Sequence, residues 1–186
     1  HAVVAQLALE AVPRDAIVPR LAQGLTHALI PAQPAQSAVL ADLYLLRPDL
    51  ALGAELAIVA KQRISATVVE PMKLIGEVEG RDAIIVDDMT ETAGTLCAAA
   101  ETLKGNGAGR IYAGVSHAVL GDLGCERIMS SDIDEVITTD STPPPPESCR
   151  AKVSTLSVAG LLGEAIQRIH NGKSVSSLFD IESGSV

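Results

Sequence analysis

The chain has 186 residues, enough for one good-sized domain, or one domain with a partial second, and too few for two full ones. An apolar share of 47% with one Phe, two Tyr and no Trp leaves Ala, Val, Leu and Ile to build the core, which favours an α/β architecture. A net charge of −9, from 14 basic against 23 acidic residues, argues against a general nucleic-acid surface, and no apolar run nears the roughly 20 residues needed to cross a bilayer. The three cysteines, Cys97, Cys125 and Cys149, are odd in number and lie in no metal-ligand spacing, which predicts structural or incidental cysteines in a reducing, cytoplasmic setting. No secretory signal is visible, and because the chain opens on His1 a fragment or processed form is expected.

From Val3 to about Ala35, short apolar runs alternate with Pro13, Pro19, Pro31 and Pro34; the only element read there is a helix over Ala2 to Ala11. Gln36 to Leu46 is apolar enough for a strand or helix, and Arg47-Pro48-Asp49 breaks it. We therefore expect an atypical N-terminal segment at 1–46 and an α/β domain at 47–186. Glu55 to Ala60 reads as the first clear strand, followed by Lys61-Gln62-Arg63 and a polar, small-residue segment to Glu70. Lys73 to Val78 reads as another strand, with Glu79-Gly80-Arg81-Asp82 as the turn into a buried strand at Ala83-Ile84-Ile85-Val86.

Beyond that strand the pattern becomes helical from Thr95 to Lys104, with Leu96, Ala99, Ala100 and Leu103 on one side and Gly105 and Gly107 at the end. A strand at Arg110 to Ser116, a helix near Leu123 to Ser130 and a strand at Glu135 to Thr139 continue the alternation. Pro143 to Pro146 reads as a stiff surface turn. Val153 to Val158 gives a last strand, and Ala159 to Ile169 a helix that closes the domain with Leu161, Leu162, Ala165, Ile166 and Ile169 on one face. This βαβαβ order predicts a mostly parallel sheet flanked by helices, with right-handed crossovers and ligands at the carboxyl ends of the strands.

The chemistry concentrates between that buried strand and the helix after it, in Asp87-Asp88-Met89-Thr90-Glu91-Thr92-Ala93-Gly94-Thr95. Backbone N–H groups of Thr92, Ala93, Gly94 and Thr95 at a helix N-terminus suit a phosphate, with the threonine hydroxyls as further donors. Asp87 and Asp88 suit vicinal sugar hydroxyls or a hydrated magnesium ion. A simpler reading makes Thr90 or Thr92 a helix cap and Glu91 a complement to the helix dipole. Capping explains the threonines but not two successive acids leaving a buried strand.

These residues resemble the phosphoribosyl-pyrophosphate (PRPP) motif of type I phosphoribosyltransferases and, more closely, that of the ribose-phosphate pyrophosphokinases, or PRPP synthetases. Gly76 to Asp82, Ser116-His117-Ala118 and Ile169 to Phe179 are similar to the same synthetases, so the resemblance spans about Gly53 to Phe179. It implies a type I phosphoribosyltransferase-like fold and transfer of pyrophosphate from Mg-ATP to ribose 5-phosphate, giving PRPP and AMP for nucleotide biosynthesis. It also implies Mg2+ as cofactor, ATP as co-substrate, a homo-oligomer or an assembly with related subunits, and docking of Ser174 to Phe179 on the body or on a neighbour.

Residue by residue, the resemblance places ribose 5-phosphate at Asp87, Asp88, Glu91, Thr92, Ala93, Gly94 and Thr95, and catalytic cations at Lys61 and Arg63; on the residues alone that basic pair reads as a solvated strand end. It fixes no metal ligands. His117 reads equally as a partly buried hydrogen-bonding histidine and as a ligand, and His170 as a partner for a helix C-terminus. Glu91 stands where the family motif usually has Asp, the Ser-Pro-Asp segment of the family is reduced to Pro48-Asp49, and neither His1 nor His27 has the surroundings of its ATP-binding histidine. Two further readings follow: a non-catalytic homologue that assembles with active synthetase, and a phosphoribosyltransferase that consumes PRPP.

Overall fold

The computed structural model describes residues 3–9, 55–60 and 73–178. At its centre is β4 (Asp82–Thr90), where Ile84 and Ile85 are both fully buried although neighbours on a strand point to opposite faces. The apolar run is therefore covered on both sides, as a parallel α/β sheet requires. β4 pairs in parallel with β5 (Ile111–Ala118), β5 with β6 (Glu135–Thr139) and β6 with β7 (Val153–Leu156). Helices α1 (Gly94–Gly105) and α2 (Asp122–Ser130) supply the connections between the first three of these strands, and α3 (Ala159–His170) follows β7.

On its other side β4 pairs antiparallel with β1 (Val3–Leu9), β1 with β2 (Glu55–Ala60), and β2 with β3 (Lys73–Ile75), giving seven strands in the order β3-β2-β1-β4-β5-β6-β7. The helix expected over Ala2 to Ala11 is thus a strand. Flanked by β2 and β4, its backbone finds a ladder on both edges, and pairing outweighs the weak helical propensity of seven mixed residues. The strand expected over Lys73 to Val78 stops at Ile75, because Gly76 takes a φ of 112° that turns the chain away. Gln36 to Leu46, Arg47-Pro48-Asp49, His1 and His27 lie outside the described residues.

One face of the parallel strands carries Ile85, Ile111, Ala113, Val115 and Val136, packed with Leu96, Ala99, Ala100 and Leu103 of α1 and with Ile128 of α2. Burial of each large aliphatic side chain contributes roughly 1.5–3 kcal/mol. α1 ends as the glycines indicate: Gly107, with φ 86°, donates to the Lys104 carbonyl (3.1 Å) while Ala108 donates to that of Leu103 (3.1 Å), the paired closure of a left-handed cap. The starts of β4 and β5 are clipped by Arg110, whose Nη2 and Nε reach Asp82 Oδ2 at 2.6 and 3.0 Å.

On this side of the molecule two of the cysteines prove structural, and one expectation, that the last helix closes the domain, fails. Cys125 and Cys149 are bonded to each other, joining α2 to the short 3-10 turn Glu147–Cys149, and only Cys97 is a free thiol. α3 does not close the domain: none of its residues is buried, and Leu162, Ile166 and Ile169 are 51, 68 and 68% exposed. Its start is nevertheless held to the sheet, since Val158 N–H donates to Asp140 Oδ1 at 2.8 Å. Past its end, Arg168 donates to the Ser174 carbonyl and a 3-10 turn covers Ser176–Leu178, so the beginning of the serine-rich tail lies on α3.

Candidate functional site

The last residues of β4 carry Asp87, half-buried, and Asp88, exposed. Each accepts from the next peptide: Asp88 N–H reaches Asp87 Oδ1 at 3.0 Å, and Met89 N–H reaches Asp88 Oδ1 at 2.7 Å. These short bonds orient both carboxylates along the strand end. Glu91 and Thr92 are exposed, Ala93 is buried, and Gly94 and Thr95 are half-buried as α1 begins. All seven sugar-phosphate candidates therefore lie within one strand end, one short turn and the first helical residues.

The turn depends on Ala93, whose φ of 53° makes it the only non-glycine residue with positive φ among the described residues. It is the N-cap of α1, and its carbonyl accepts the first helical bond from Cys97 at 2.9 Å. The N–H groups of Gly94, Thr95 and Leu96 precede that first bond and so have no acceptor within the helix. No side chain caps them, and no acid lies in the first turn. Side-chain capping by Thr90 or Thr92 is thus absent, Thr90 belonging to β4 and being buried, and Glu91 precedes the cap instead of lying in the first turn. What remains is a set of backbone donors at the positive end of a helix dipole, beside a pair of carboxylates, groups whose oxygens can accept from hydroxyls.

Behind the turn stands α2. The guanidinium Nη1 of Arg127 donates to the Thr92 carbonyl at 3.0 Å. A methyl group on Gly124 would lie 2.6 Å from the Glu91 carbonyl oxygen, so the helix backbone meets the turn directly. The sequence offered no sign of this contact, because one exposed arginine on an amphipathic helix carries no pattern. Within α1, burial pushes the Cys97 thiol above its ordinary value, opposed by a hydrogen bond with Ser131 and by the charges of Arg127 and Lys152.

Beside the acids, the ends of β5 and β6 form a hydroxyl network. Thr139 Oγ1 donates to the Ser116 carbonyl at 2.7 Å, and His117 Nδ1 lies 2.8 Å from Ser141 Oγ. His117 is hydrogen-bonded, in keeping with the simpler of its two readings. Among the described residues no three His, Cys, Asp or Glu side chains cluster to hold a metal ion. Two adjacent carboxylates do fit magnesium, which keeps several waters and takes one or two protein carboxylates together with substrate oxygens.

Lys61 and Arg63 lie outside the described residues, but the strand before them is placed. β2 is antiparallel to β1 and β1 to β4, so β2 and β4 run in the same direction. Ala60 pairs with Val3, two residues beyond the Ala5 that pairs with Val86. The chain therefore leaves β2 at the level of Asp88 and two strands away, about 10 Å across the sheet at the usual strand spacing.

Residues 52–180 match the family model described as phosphoribosyl synthetase-associated domain. The chain is 52% identical over 130 residues to the ribose-phosphate pyrophosphokinase of Bordetella pertussis, covering 69% of this chain and 42% of that protein. It is 49% identical over 126 residues to that of Shewanella oneidensis, covering 67% and 40%, and 45% identical over 150 residues to that of Burkholderia pseudomallei, covering 74% and 47%. Among solved structures it resembles phosphoribosylpyrophosphate synthetase from Mycobacterium smegmatis, with a TM-score of 0.52 and 31% identity over 54% of this chain and 34% of that one. The chain thus spans less than half the length of these relatives.

Proposed function

The chain belongs to the phosphoribosyl synthetase-associated domain family, and from that premise we propose that it is the phosphoribosyltransferase-like part, residues 47–186, of a ribose-phosphate pyrophosphokinase. Its substrates are ribose 5-phosphate and Mg-ATP, and its products PRPP and AMP. The observation that carries this reading is the uncapped α1 N-terminus set one turn after Asp87 and Asp88. A ligand with a phosphate at one end and vicinal hydroxyls at the other satisfies both halves of that arrangement, which neither a free phosphate nor a neutral sugar does.

In this reading the N–H groups of Gly94, Thr95 and Leu96 and the hydroxyls of Thr92 and Thr95 hold the 5-phosphate, while Asp87, Asp88 and Glu91 accept from the ribose hydroxyls. The anomeric hydroxyl oxygen forms a bond to the β-phosphorus of ATP as the bond from that phosphorus to the α–β bridging oxygen breaks, releasing AMP, and the hydroxyl proton passes to solvent. Magnesium supplies charge neutralisation of the phosphate oxygens when bound. The protein contributes alignment and cations: Lys61 as a point charge and Arg63 as a planar fork, in the chain that follows β2. A cytoplasmic location and assembly into oligomers belong to the same reading. The exposed apolar stripe of Leu162, Ile166 and Ile169 on α3 supports assembly.

A complete protein containing this domain, given ribose 5-phosphate and Mg-ATP, is expected to form AMP and PRPP in equal amounts. Formation of ADP, or no AMP under conditions where ribose 5-phosphate binds, would defeat the proposed reaction.

A further inference from the structure

Arg127 of α2 stands outside every motif of the sequence, yet its side chain meets the backbone of the anion turn. We propose that Arg127 is a positioning residue for ribose 5-phosphate, holding the Thr92–Ala93 peptide so that its N–H faces the phosphate; this rests on the function proposed above. In a trans peptide the carbonyl and the N–H point in opposite directions. The Thr92 carbonyl is turned to α2 and accepts from Arg127 Nη1 at 3.0 Å, so the Ala93 N–H is turned the other way, away from α2.

The arrangement opposes a backbone preference. Ala93 sits at φ 53°, a conformation that L residues other than Asn, Asp and Gly seldom adopt, and no side-chain cap of α1 holds it there. Arg127 supplies the missing hold through a charge-assisted bond. Three contacts make the support a built one. A methyl group on Gly124 would lie 2.6 Å from the Glu91 carbonyl oxygen, and one on Gly94 would lie 3.1 Å from Arg127 Nη1. Gly124 and Arg127 are three residues apart and share one face of α2. Thus Glu91, Thr92 and Gly94 all meet the same helix face, and the small residue at position 94 leaves room for the guanidinium.

A cation here also offsets the local acids. Asp87, Asp88 and Glu91 place three carboxylates beside a site that receives an anion, and Arg127 is the positive side chain bonded to that turn. Charge and orientation are separable by substitution. Lysine keeps the charge and can donate one bond, but it lacks the planar fork, so Arg127→Lys recovers the electrostatic part and only some of the orientation.

The test is calorimetric titration of ribose 5-phosphate into the wild-type chain, Arg127→Ala, Arg127→Lys and, as a control on the cup itself, Thr95→Ala. Alongside, the Ala93 Cα and Cβ chemical shifts of the ligand-free proteins report its backbone angles. Arg127→Ala is expected to weaken binding about tenfold, the effect of one lost charge-assisted hydrogen bond, with Arg127→Lys between it and wild type. The Ala93 shifts should move away from left-handed values in Arg127→Ala, while those of Leu103 and Ile137 in the core stay fixed. Wild-type affinity in Arg127→Ala with weakened binding in Thr95→Ala would overturn the positioning role and leave the proposed function standing. No binding by wild type would remove the proposed function, and unchanged Ala93 shifts in Arg127→Ala would then remove the hold on the turn as well.

Discussion

Ala93 is the residue on which the site turns. A buried alanine at positive φ has a conformational cost that the helix alone does not require, and what it gains is the orientation of the peptides around it. The acids and threonines of this turn were legible because an apolar strand that ends in two carboxylates is an unusual pattern. The absence of a side-chain cap was not, since Thr90 and Thr92 are good capping residues and only the path of the backbone removes both from that position. Arg127 was illegible for a different reason: its role lies in the chain path of α2 and not in its own sequence neighbourhood.

Lys61 and Arg63 belong to the same scale. Groups that meet the phosphates only as charge develops change kcat more than ground-state binding. In a complete enzyme containing this domain, Lys61→Ala and Arg63→Ala are each expected to lower kcat by on the order of a hundredfold, the scale of a lost transition-state donor, with little change in ribose 5-phosphate affinity. Steady-state kinetics that show near-wild-type kcat in both would return the pair to the status of a solvated strand end.

Among the elements, α1 was the most legible. Its buried positions Leu96, Ala99, Ala100 and Leu103 are the four that the periodicity marks, because a helix facing a sheet in a single domain has one apolar stripe. α3 shows the limit of that inference. Its apolar spacing is equally clear, yet Leu162, Ile166 and Ile169 face solvent, since periodicity marks a face without identifying what covers it. β1 failed for another reason: an isolated stretch such as Val3–Leu9 carries no information about the strands that flank it.

The attachment of α3 gives an element-scale prediction. The Asp140 carboxyl is held below its ordinary value by the Ser157 hydroxyl first and the Val158 N–H second. A carboxyl with a lower pKa when folded binds fewer protons in that state, so its stabilisation is full above the ordinary carboxylate value, about 3.9, and fades as pH falls through the lower folded value. Thermal unfolding of Asp140→Asn should therefore occur below wild type at pH 7, with the two converging as the pH drops below about 4. A constant gap down to acid pH would show that the charge of Asp140 does not hold α3.

Across the whole molecule, the alternation of strand and helix after Asp82 made the parallel half of the sheet readable, because each βα unit carries its own signature. The antiparallel half was not readable. Its strands β1 and β2 are separated by 45 residues of sequence, from 10 to 54, and the pairing that puts them beside β4 leaves no local trace. This same half brings the end of β2, at Ala60, to the level of the acids at the end of β4.

The molecule also exposes a stripe at Leu162, Ile166 and Ile169, the spacing of one helix face. If this stripe mediates the proposed assembly, Ile166→Lys should shift the chain to a smaller species in sedimentation velocity, since a charge in an apolar interface is costly. Equal sedimentation of the two proteins would place any assembly elsewhere.

The central claim is that residues 87–95 bind the two ends of ribose 5-phosphate at once, and titration calorimetry with ribose 5-phosphate on the chain and on its Asp88→Ala and Thr95→Ala variants tests it most directly. Loss of a charge-assisted hydrogen bond at either end should weaken binding by about 1.5–3 kcal/mol. Equal affinity in all three proteins, or equal loss for ribose without its phosphate in Thr95→Ala, would contradict it.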